Sequence, residues 1–334
     1  MRSKDRPCCA RYATHCSTTL KIHQLRALVA TADAGSIRGA ARLLNSSPAA
    51  ITQSLQQFEA DLKLQLVART PSGVTLTQDG RALLEHARLI VGHIARAHQA
   101  VDSMRGETRG RLAVAVTAWV AMTFLPEAVA RFRQRMPDVQ LEFFEGLFAI
   151  ATPRLRDGSL DIYVGRQAPG NSSEFAYRPL FSSTRAVVAR QGHPRADSRS
   201  LSELLDLDWL VPLDPETEGI APYRMFTQHD LPAPRSIHFL HSLSVAVALL
   251  QRTDMISIFP WPLVELCAAR DALCAIPVRE QLDDSLVGII TRAGEPSDPA
   301  SSCFTECLLE AIHDDTWAST PYVRRIINSV DVLI

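Results

Sequence analysis

The chain has 334 residues, which is more than one ordinary hydrophobic core accommodates and suits two or three domains. Its composition, 46% apolar and 21% charged, excludes an intrinsically disordered protein. The first residues lack the apolar stretch of a signal peptide, and the most apolar run, residues 113–125, is too short to span a membrane. We therefore expect a folded cytoplasmic protein with no membrane partner.

Charge is distributed unevenly along the chain. Residues 1–110 contain 15 Lys and Arg against 8 Asp and Glu, whereas the remainder contains 20 against 28. This asymmetry predicts a module in the N-terminal third that binds a polyanion. Because Lys4, Lys21 and Lys63 are the only lysines, residues 64–334 cannot supply a Schiff-base lysine or the lysine of a phosphate-binding P-loop.

The seven cysteines are scattered without a Cys-x-x-Cys pair, so the sequence predicts neither a metal site nor a cofactor. Residues 1–19 show no apolar periodicity and are predicted to form a disordered leader. We expect the first domain to begin at residue 20.

Three short helices are predicted in residues 20–76. The first ends at Gly35, which suits a left-handed C-terminal position, and Ser36 is placed to cap the second. Ser47 and Pro48 have the pattern that opens a third helix. Three short helices in a basic segment favour a helix-turn-helix, whose third helix enters the DNA major groove. The alternative is a three-helix packing unit with no role in nucleic-acid binding.

Two short strands are predicted after these helices. Residues 66–69 and 73–76 alternate in polarity on either side of Thr70-Pro71-Ser72, which is typical of a hairpin. Beside a recognition helix such a hairpin forms a wing and places Arg69 near DNA phosphates.

Residues 34–45 and 50–59 resemble the helix-turn-helix of the LysR-type transcriptional regulators, and residues 66–69 and 76–80 resemble that family's wing and the start of its linker helix. The resemblance implies dimers, often tetramers, and an effector domain similar to periplasmic binding proteins. Two positions depart from the family pattern. Pro48-Ala49 replaces the usual Gln-Pro, and Lys63 stands where a glycine is usual, so Lys63 must adopt a left-handed or distorted backbone.

Double-stranded DNA is thus the predicted partner, and the third helix is predicted to contact its bases. Glutamine pairs with two atoms of adenine, so the exposed glutamines suggest adenine-containing half-sites. Plain solvation of these side chains is the alternative. The predicted DNA-binding residues are Ser36, Arg38, Ser47, Pro48, Thr52, Gln53, Gln56, Gln57 and Arg69.

A long helix is predicted over residues 77–106, with Thr77 as its N-cap. Its apolar residues alternate at spacings of four and three, which is typical of a heptad seam and favours homodimerisation. Packing of the seam on the chain's own domains is the alternative. The seam consists of Leu83, Ala87, Ile90, Ile94, Ala97, Val101 and Met104.

RNA polymerase is a further partner expected of a regulator.

Strand and helix patterns alternate twice in residues 111–334, which predicts two α/β lobes with an effector between them. Lobe I is assigned to residues 111–165 and 270–315, and lobe II to residues 168–268. The chain is predicted to cross between the lobes at residues 165–167 and after residues 261–262.

Side chains at the ends of these strands are the predicted effector site. Backbone N–H groups and hydroxyls at helix starts suit a carboxylate or sulfonate, so a small organic acid is the predicted effector. Arg166 is equally suited to pair with Glu145. The predicted residues are Thr117, Trp119, Phe144, Glu145, Arg166, Ser242, Ser244 and Pro260.

The predicted function is a DNA-binding transcriptional regulator whose dimer recognises a near-palindromic operator and responds to this effector. An enzyme with its site in the inter-lobe cleft is the competing interpretation, but the sequence lacks His-Glu-x-x-His, Gly-x-Ser-x-Gly, P-loop and dinucleotide motifs, and no catalytic residue is predicted. A third interpretation, a small-molecule-binding protein, leaves the basic N-terminal segment unexplained.

Overall fold

The computed structural model describes residues 20–70, 73–104, 110–146, 148–166, 173–212, 221–268, 273–294, 298–314 and 321–334. The chain forms two compact units, Met1–His98 and Gln99–Ile334. The predicted leader, residues 1–19, lies outside the described residues. Among the helices of the described ranges, none has the length and apolar character needed to cross a membrane.

The first unit begins with the three predicted helices, α1 (Ile22–Ala34), α2 (Ile37–Leu43) and α3 (Pro48–Leu62). Gly35 ends α1 in the left-handed conformation, with φ 62°. The Ser36 Oγ accepts a hydrogen bond from the Gly39 N–H at 3.1 Å, and the Ser47 Oγ accepts one from the Ala50 N–H at 3.1 Å. Both predicted caps are confirmed, so short-range hydrogen bonds determine where these helices start.

The three helices share one hydrophobic core. Leu28 of α1 and Phe58 of α3 are completely buried, and Ile51 and Leu55 line the same side of α3. Ala40 of α2 is also completely buried, and its small side chain lets the neighbouring helices approach closely. Burial of this face of α3 leaves the opposite face exposed.

The predicted hairpin follows α3 as β1 (Val67–Thr70) and β2 (Gly73–Leu76), paired antiparallel with Val67 opposite Leu76. Glu59 of α3 fastens this wing, because its Oε1 accepts hydrogen bonds from the backbone N–H groups of Leu66 and Val67 at 2.7 and 3.0 Å. The wing is thereby anchored directly to the third helix.

A single long helix, α4 (Gln78–Met104), follows the wing. The Gly80 N–H donates to the Thr77 Oγ1 at 3.0 Å, so the predicted N-cap is confirmed. Ala87 of α4 is completely buried in the core of the first unit.

The second unit contains two sheets. Its elements, in chain order, are β3 (Arg111–Val116), α5 (Ala118–Met122), α6 (Phe124–Arg135), β4 (Gln140–Glu145), α7 (Phe148–Asp157), β5 (Ile162–Arg166), β6 (Phe175–Ser183), β7 (Arg185–Arg190), β8 (Asp208–Pro212), α8 (Ala221–Thr227), β9 (Ser236–Leu240), α9 (Leu243–Leu250), β10 (Ile256–Pro260), α10 (Trp261–Ala268), β11 (Leu273–Ile276), β12 (Ser285–Arg292), α11 (Pro299–His313), α12 (Pro321–Ile327) and β13 (Asp331–Val332). The first sheet has the order β13-β6-β12-β5-β3-β4, and the second has the order β11-β7-β10-β8-β9.

The two sheets correspond to two lobes, but the strands are distributed differently from the prediction. Strand β6 was not predicted, and it belongs to the first sheet although it lies inside the range assigned to lobe II. Strand β11 belongs to the second sheet although its residues were assigned to lobe I. The chain therefore crosses between the lobes at β6–β7 and β11–β12, not at residues 165–167 or after residues 261–262. The sheet to which each strand belongs is determined by pairing with strands that are distant in the sequence. Local sequence patterns do not indicate this pairing.

The C-terminal segment contacts both lobes. Helix α12 packs on α10, which follows a strand of the second sheet, and Ile326 of α12 is completely buried there. Strand β13 pairs antiparallel with β6 of the first sheet, and the Leu333 N–H donates to the Leu180 carbonyl at 2.9 Å. The last residues of the chain thus join elements of the two lobes.

Lys63 follows α3 in the left-handed conformation, with φ 56° and ψ 33°, as predicted. We expect Lys63→Gly to stabilise the first unit by about 0.5–1 kcal/mol, because glycine adopts this conformation without a clash at Cβ. Hydrogen exchange of the α3 amide groups in the intact chain measures the change. Lys63→Ala keeps the strain and should give no such gain, and equal protection in both variants would contradict the explanation.

Removing part of the buried Ile326 side chain tests the C-terminal segment. Ile326→Ala should destabilise the second unit by about 2–5 kcal/mol, because it leaves a cavity between α12 and α10. Urea unfolding followed by tryptophan fluorescence reports on this unit, since all four tryptophans lie within residues 119–317. Val332→Ala, at a side chain that is 48% exposed, is the matched control and should have little effect.

Candidate nucleic-acid interface and effector site

The exposed face of α3 carries the predicted glutamines. Gln53, Gln56 and Gln57 are exposed, and they lie opposite the buried Ile51, Leu55 and Phe58. Thr52 is half-buried, and its hydroxyl donates to the Pro48 carbonyl at 2.9 Å. The structure therefore brings three amide side chains together on one accessible helix face.

The other predicted DNA-binding residues surround this face at helix starts. Ser36 and Ser47 use their hydroxyl oxygens as caps of α2 and α3, Pro48 is exposed at the first turn of α3, and Arg38 is exposed on α2. The N-terminus of a helix attracts phosphate through its free N–H groups and its dipole. The backbone of Arg69 lies in β1; its side chain lies outside what the structure describes.

Asp61 is a residue of this unit that the sequence did not single out. Its Oδ2 accepts from the Gln24 Nε2 at 2.9 Å, and its Oδ1 accepts from the Gln57 Nε2 at 2.8 Å. These two hydrogen bonds lower the pKa of Asp61 below its usual range, so the carboxylate is ionised at neutral pH. The Gln57–Asp61 spacing of four residues was visible in the sequence, but the contact with Gln24 depends on the tertiary fold.

The predicted heptad seam of α4 divides into two parts. Leu83 and Ala87 pack against the core of the first unit, so the alternative prediction, packing on the chain's own domain, is correct for these two. Ile90 is 37% exposed and Val101 43% exposed. Of the remaining seam residues, Ile94 is half-buried and Ala97 is exposed. The side chain of Met104 lies outside the described atoms.

The predicted effector site lies where parallel strands end. Thr117 follows β3, Glu145 ends β4 and Arg166 ends β5, and strand pairing places these three positions at one edge of the first sheet. Pro260 ends β10 and pairs with Arg185, the first residue of β7, at an edge of the second sheet. The β6–β7 crossing joins the two edges, because Ser183 and Arg185 are separated only by Thr184.

Trp119 is not available to a ligand, contrary to the prediction. It is 1% exposed, and its ring packs edge-on against Phe181 and Phe124 at centroid distances of 5.2 and 6.3 Å. An aromatic side chain just after a strand has the same sequence pattern whether it faces a cleft or the core. Phe144 is half-buried beneath the guanidinium of Arg154, at 4.1 Å from the ring centroid.

The two predicted serines contact each other. The Ser242 Oγ lies 2.9 Å from the Ser244 Oγ and accepts from the Val245 N–H at 3.5 Å, so Ser242 caps α9. Among ion pairs between described residues, none joins Arg166 to Glu145, so the alternative pairing does not form in the structure.

Arg185 is the main residue of this site that the sequence did not predict. Its side chain is only 17% exposed, and its Nε donates to the Asp283 carbonyl. Burial and the neighbouring positive charge of Arg166 lower its pKa to about 10, while Asp283 and Asp284 act in the opposite direction. The group is still charged at neutral pH. Arg185 already has an ion-pair partner, because its Nη2 lies 3.7 Å from the Asp283 Oδ2, and the charge of Arg166 acts on the same group. This second positive charge beside the lobe crossing favours an anion there.

Comparison with known proteins identifies the domains of this chain. Residues 22–81 match the bacterial regulatory helix-turn-helix model of the lysR family, and residues 105–312 match the LysR substrate binding domain. The SDS degradation transcriptional activation protein of a Pseudomonas strain is 26% identical over 295 residues, covering 86% of this chain and 95% of that protein. The regulator PcaQ of Agrobacterium fabrum is 27% identical over 301 residues, covering 88% and 94%.

Solved structures show the same fold. CbnR, a LysR family transcriptional regulator, has a TM-score of 0.59 at 20% identity, covering 87% of this chain and 99% of its own. A full-length OxyR variant from Pseudomonas aeruginosa has a TM-score of 0.61 at 18% identity, covering 87% and 95%.

A winged helix-turn-helix joined to a two-lobed α/β unit defines the class of DNA-binding transcriptional regulators with an effector-binding domain. The chain belongs to the LysR family of these regulators. Its matched relatives are regulators, so the enzyme interpretation is set aside.

Proposed function

We propose that this regulator recognises its operator through the glutamine face of α3. The observation that carries the proposal is the exposure of Gln53, Gln56 and Gln57 on one face of a helix whose opposite face is fully packed. A glutamine amide can accept from N6 and donate to N7 of adenine, so adenine-containing half-sites are the proposed targets. The DNA complex of the related CbnR supports DNA binding by this fold.

Contacts to the DNA backbone complete the proposed interface. The N-termini of α2 and α3, capped by Ser36 and Ser47, present N–H groups to phosphates, and Arg38 adds a positive charge. The remaining proposed DNA-contacting residues are Thr52, Pro48 and the wing residue Arg69. Because the interface has few arginines, charge contributes only a modest part of its affinity for DNA. Discrimination between base sequences then comes mainly from the glutamines.

The proposed assembly is a homodimer formed through the exposed part of the α4 seam. Ile90, Ile94, Ala97 and Val101 form the section that the chain's own first core does not bury. A two-fold dimer recognises a near-palindromic operator, and pairs of dimers form tetramers. The regulator acts in the cytoplasm, where the DNA and RNA polymerase are found.

The proposed effector is a small organic acid bound beside the lobe crossing. Arg166 and Arg185 supply positive charge, Thr117 supplies a hydroxyl, and Phe144 offers an apolar contact. Ser242 and Ser244 at the start of α9, with Glu145 and Pro260 at strand ends, complete the proposed set of effector-site residues. Binding shifts the lobes only if the acid prefers their closed arrangement.

Operator recognition is tested with three variants of the full chain on the DNA upstream of its own gene. Gln53→Ala should weaken binding to the footprinted site about 5-fold to 150-fold, the equivalent of one bidentate contact, with little change on unrelated DNA. Arg38→Ala should weaken binding to every duplex and lower the salt dependence by about one charge. Gln134→Ala, an exposed glutamine on α6, is the control.

Equal weakening of all duplexes by Gln53→Ala would contradict base recognition by this face. The same footprint tests the dimer, because scrambling one half-site should reduce affinity for the whole operator. Unchanged affinity after that scrambling would contradict a two-fold assembly.

The effector site is tested with a panel of small carboxylic acids and their neutral amides, using calorimetry on the full chain. The wild-type chain should bind at least one acid, and Arg185→Gln should weaken that binding by at least about 10-fold because a buried charge pair is lost. Arg195→Gln, at a partly exposed arginine paired with Asp206, is the control. Equal binding of an acid and its amide would contradict an anionic effector.

A further inference from the structure

Asp61 lies between a buried side chain and the exposed glutamine face. Its two oxygens have different donors, since Oδ2 accepts from Gln24 on α1 and Oδ1 accepts from Gln57 on α3. The two distances, 2.9 and 2.8 Å, are those of charge-assisted hydrogen bonds. A continuous chain of hydrogen bonds therefore runs from the first helix to the proposed DNA-contacting face.

The buried end of this chain determines the orientation of the carboxylate. Gln24 is completely buried, and its Oε1 accepts from the backbone N–H of Lys21 at 3.2 Å. Its amide nitrogen is therefore the group that faces Asp61, and the amide cannot be reversed without losing both contacts. The buried Gln24 side chain, fixed by these two hydrogen bonds, therefore holds one oxygen of Asp61 in place.

The exposed end of the chain determines the orientation of Gln57. A carboxylate only accepts hydrogen bonds, so the NH₂ group of Gln57 must face Asp61. An amide nitrogen carries two hydrogens, and contact with Asp61 uses one of them. When the hydrogen trans to Oε1 makes this contact, the other N–H and the Oε1 atom form the edge that pairs with N7 and N6 of adenine.

Gln57 differs in this respect from its two neighbours on the same face. Gln53 and Gln56 make no side-chain hydrogen bond to another residue that the structure describes. Ordering a free, rotamer-rich side chain on binding costs about 0.5–1.5 kcal/mol. Gln57 differs because Asp61 already accepts a hydrogen bond from its amide nitrogen in the absence of DNA.

We propose that Asp61 is a positioning residue that determines specificity: it presents the Gln57 amide in one orientation and so sharpens discrimination at one base pair of each half-site. This inference rests on the proposed contact between the glutamine face and DNA bases. The alternative is that the hydrogen bonds merely hold α1 and α3 together.

The negative charge of Asp61 predicts a second effect of removing this residue, on affinity for DNA of any sequence. A carboxylate beside the recognition helix repels the phosphate backbone, so its removal strengthens binding to any duplex. Loss of Asp61 should therefore raise affinity for unrelated DNA and at the same time reduce discrimination at one position. Loss of helix packing alone would weaken both.

The experiment selects binding sites from a random duplex library with the full-length wild-type chain, and then measures affinities for single-base substitutions at fixed salt. Gln57→Ala should abolish the preference at one position of each half-site. Asp61→Ala should reduce the preference at that same position about 2-fold to 12-fold, the range that side-chain ordering predicts. In the Gln57→Ala background Asp61→Ala should have no further effect there.

Two more variants serve as controls. Asp61→Glu keeps a carboxylate and should restore part of the preference. Asp79→Asn removes an exposed negative charge from the same unit without touching Gln57, so it should raise affinity for unrelated DNA and leave every base preference unchanged. If Asp61→Ala fails to fold, Asp61→Asn replaces it. Asparagine has an NH₂ donor in place of one carboxylate oxygen, so it cannot accept from Gln24 and Gln57 on separate oxygens as Asp61 does.

The outcomes separate this inference from the proposed function. If Gln57→Ala changes no base preference, the proposed role of Gln57 in base recognition is wrong. If Gln57→Ala abolishes one preference and the Asp61 variants leave that preference intact, only the positioning role is overturned. A uniform loss of affinity at all positions in Asp61→Ala, together with a lower unfolding temperature, also overturns it.

Discussion

Burial of one face of α3 is the constraint on which the DNA-binding unit depends. Ile51, Leu55 and Phe58 pack into a core shared with α1 and α2, and this packing sets the rotation of α3 about its own axis. The exposed glutamines are thereby directed away from the core. Glu59, on the same helix, holds the wing, so the orientation of α3 also determines where the wing begins. One packed face positions both the glutamine face and the wing.

The effector-binding unit depends on a different constraint, the passage of the chain between two sheets. Strands β6 and β7 are nearly continuous, and Arg185 lies just beyond the crossing with Arg166 nearby. Asp283 is ion-paired with Arg185, so the positive charge of Arg166 is the one that favours a further anion here. An anion bound here therefore interacts with residues of both lobes, and the C-terminal segment joins the same two lobes from another direction.

Much of the first unit could be predicted because its determinants are local. A serine that caps a helix bonds to an N–H three residues away. The resemblance to the LysR family implied a left-handed or distorted backbone at Lys63, and the structure has the left-handed one. The exposed and buried faces of α3 follow from the helical repeat alone. The predictions failed where the same sequence pattern is compatible with two different packing arrangements. The seam of α4 is apolar throughout, yet Leu83 and Ala87 pack on their own chain while Val101 remains exposed.

By itself, then, the sequence determined the three helices, their caps, the wing, the long helix, the α/β character of the second unit and the resemblance to the LysR family. Only the tertiary structure decided that the residues of β6 and β11 belong to the opposite lobes from those assigned to them, that Trp119 is buried, and that the charge of Arg166 acts on Arg185. It also brought Gln24 to Asp61, 37 positions away. The physical reason is range: caps and helical periodicity act over three or four residues, whereas strand pairing, burial and charge proximity join residues whose separation along the chain leaves no local pattern.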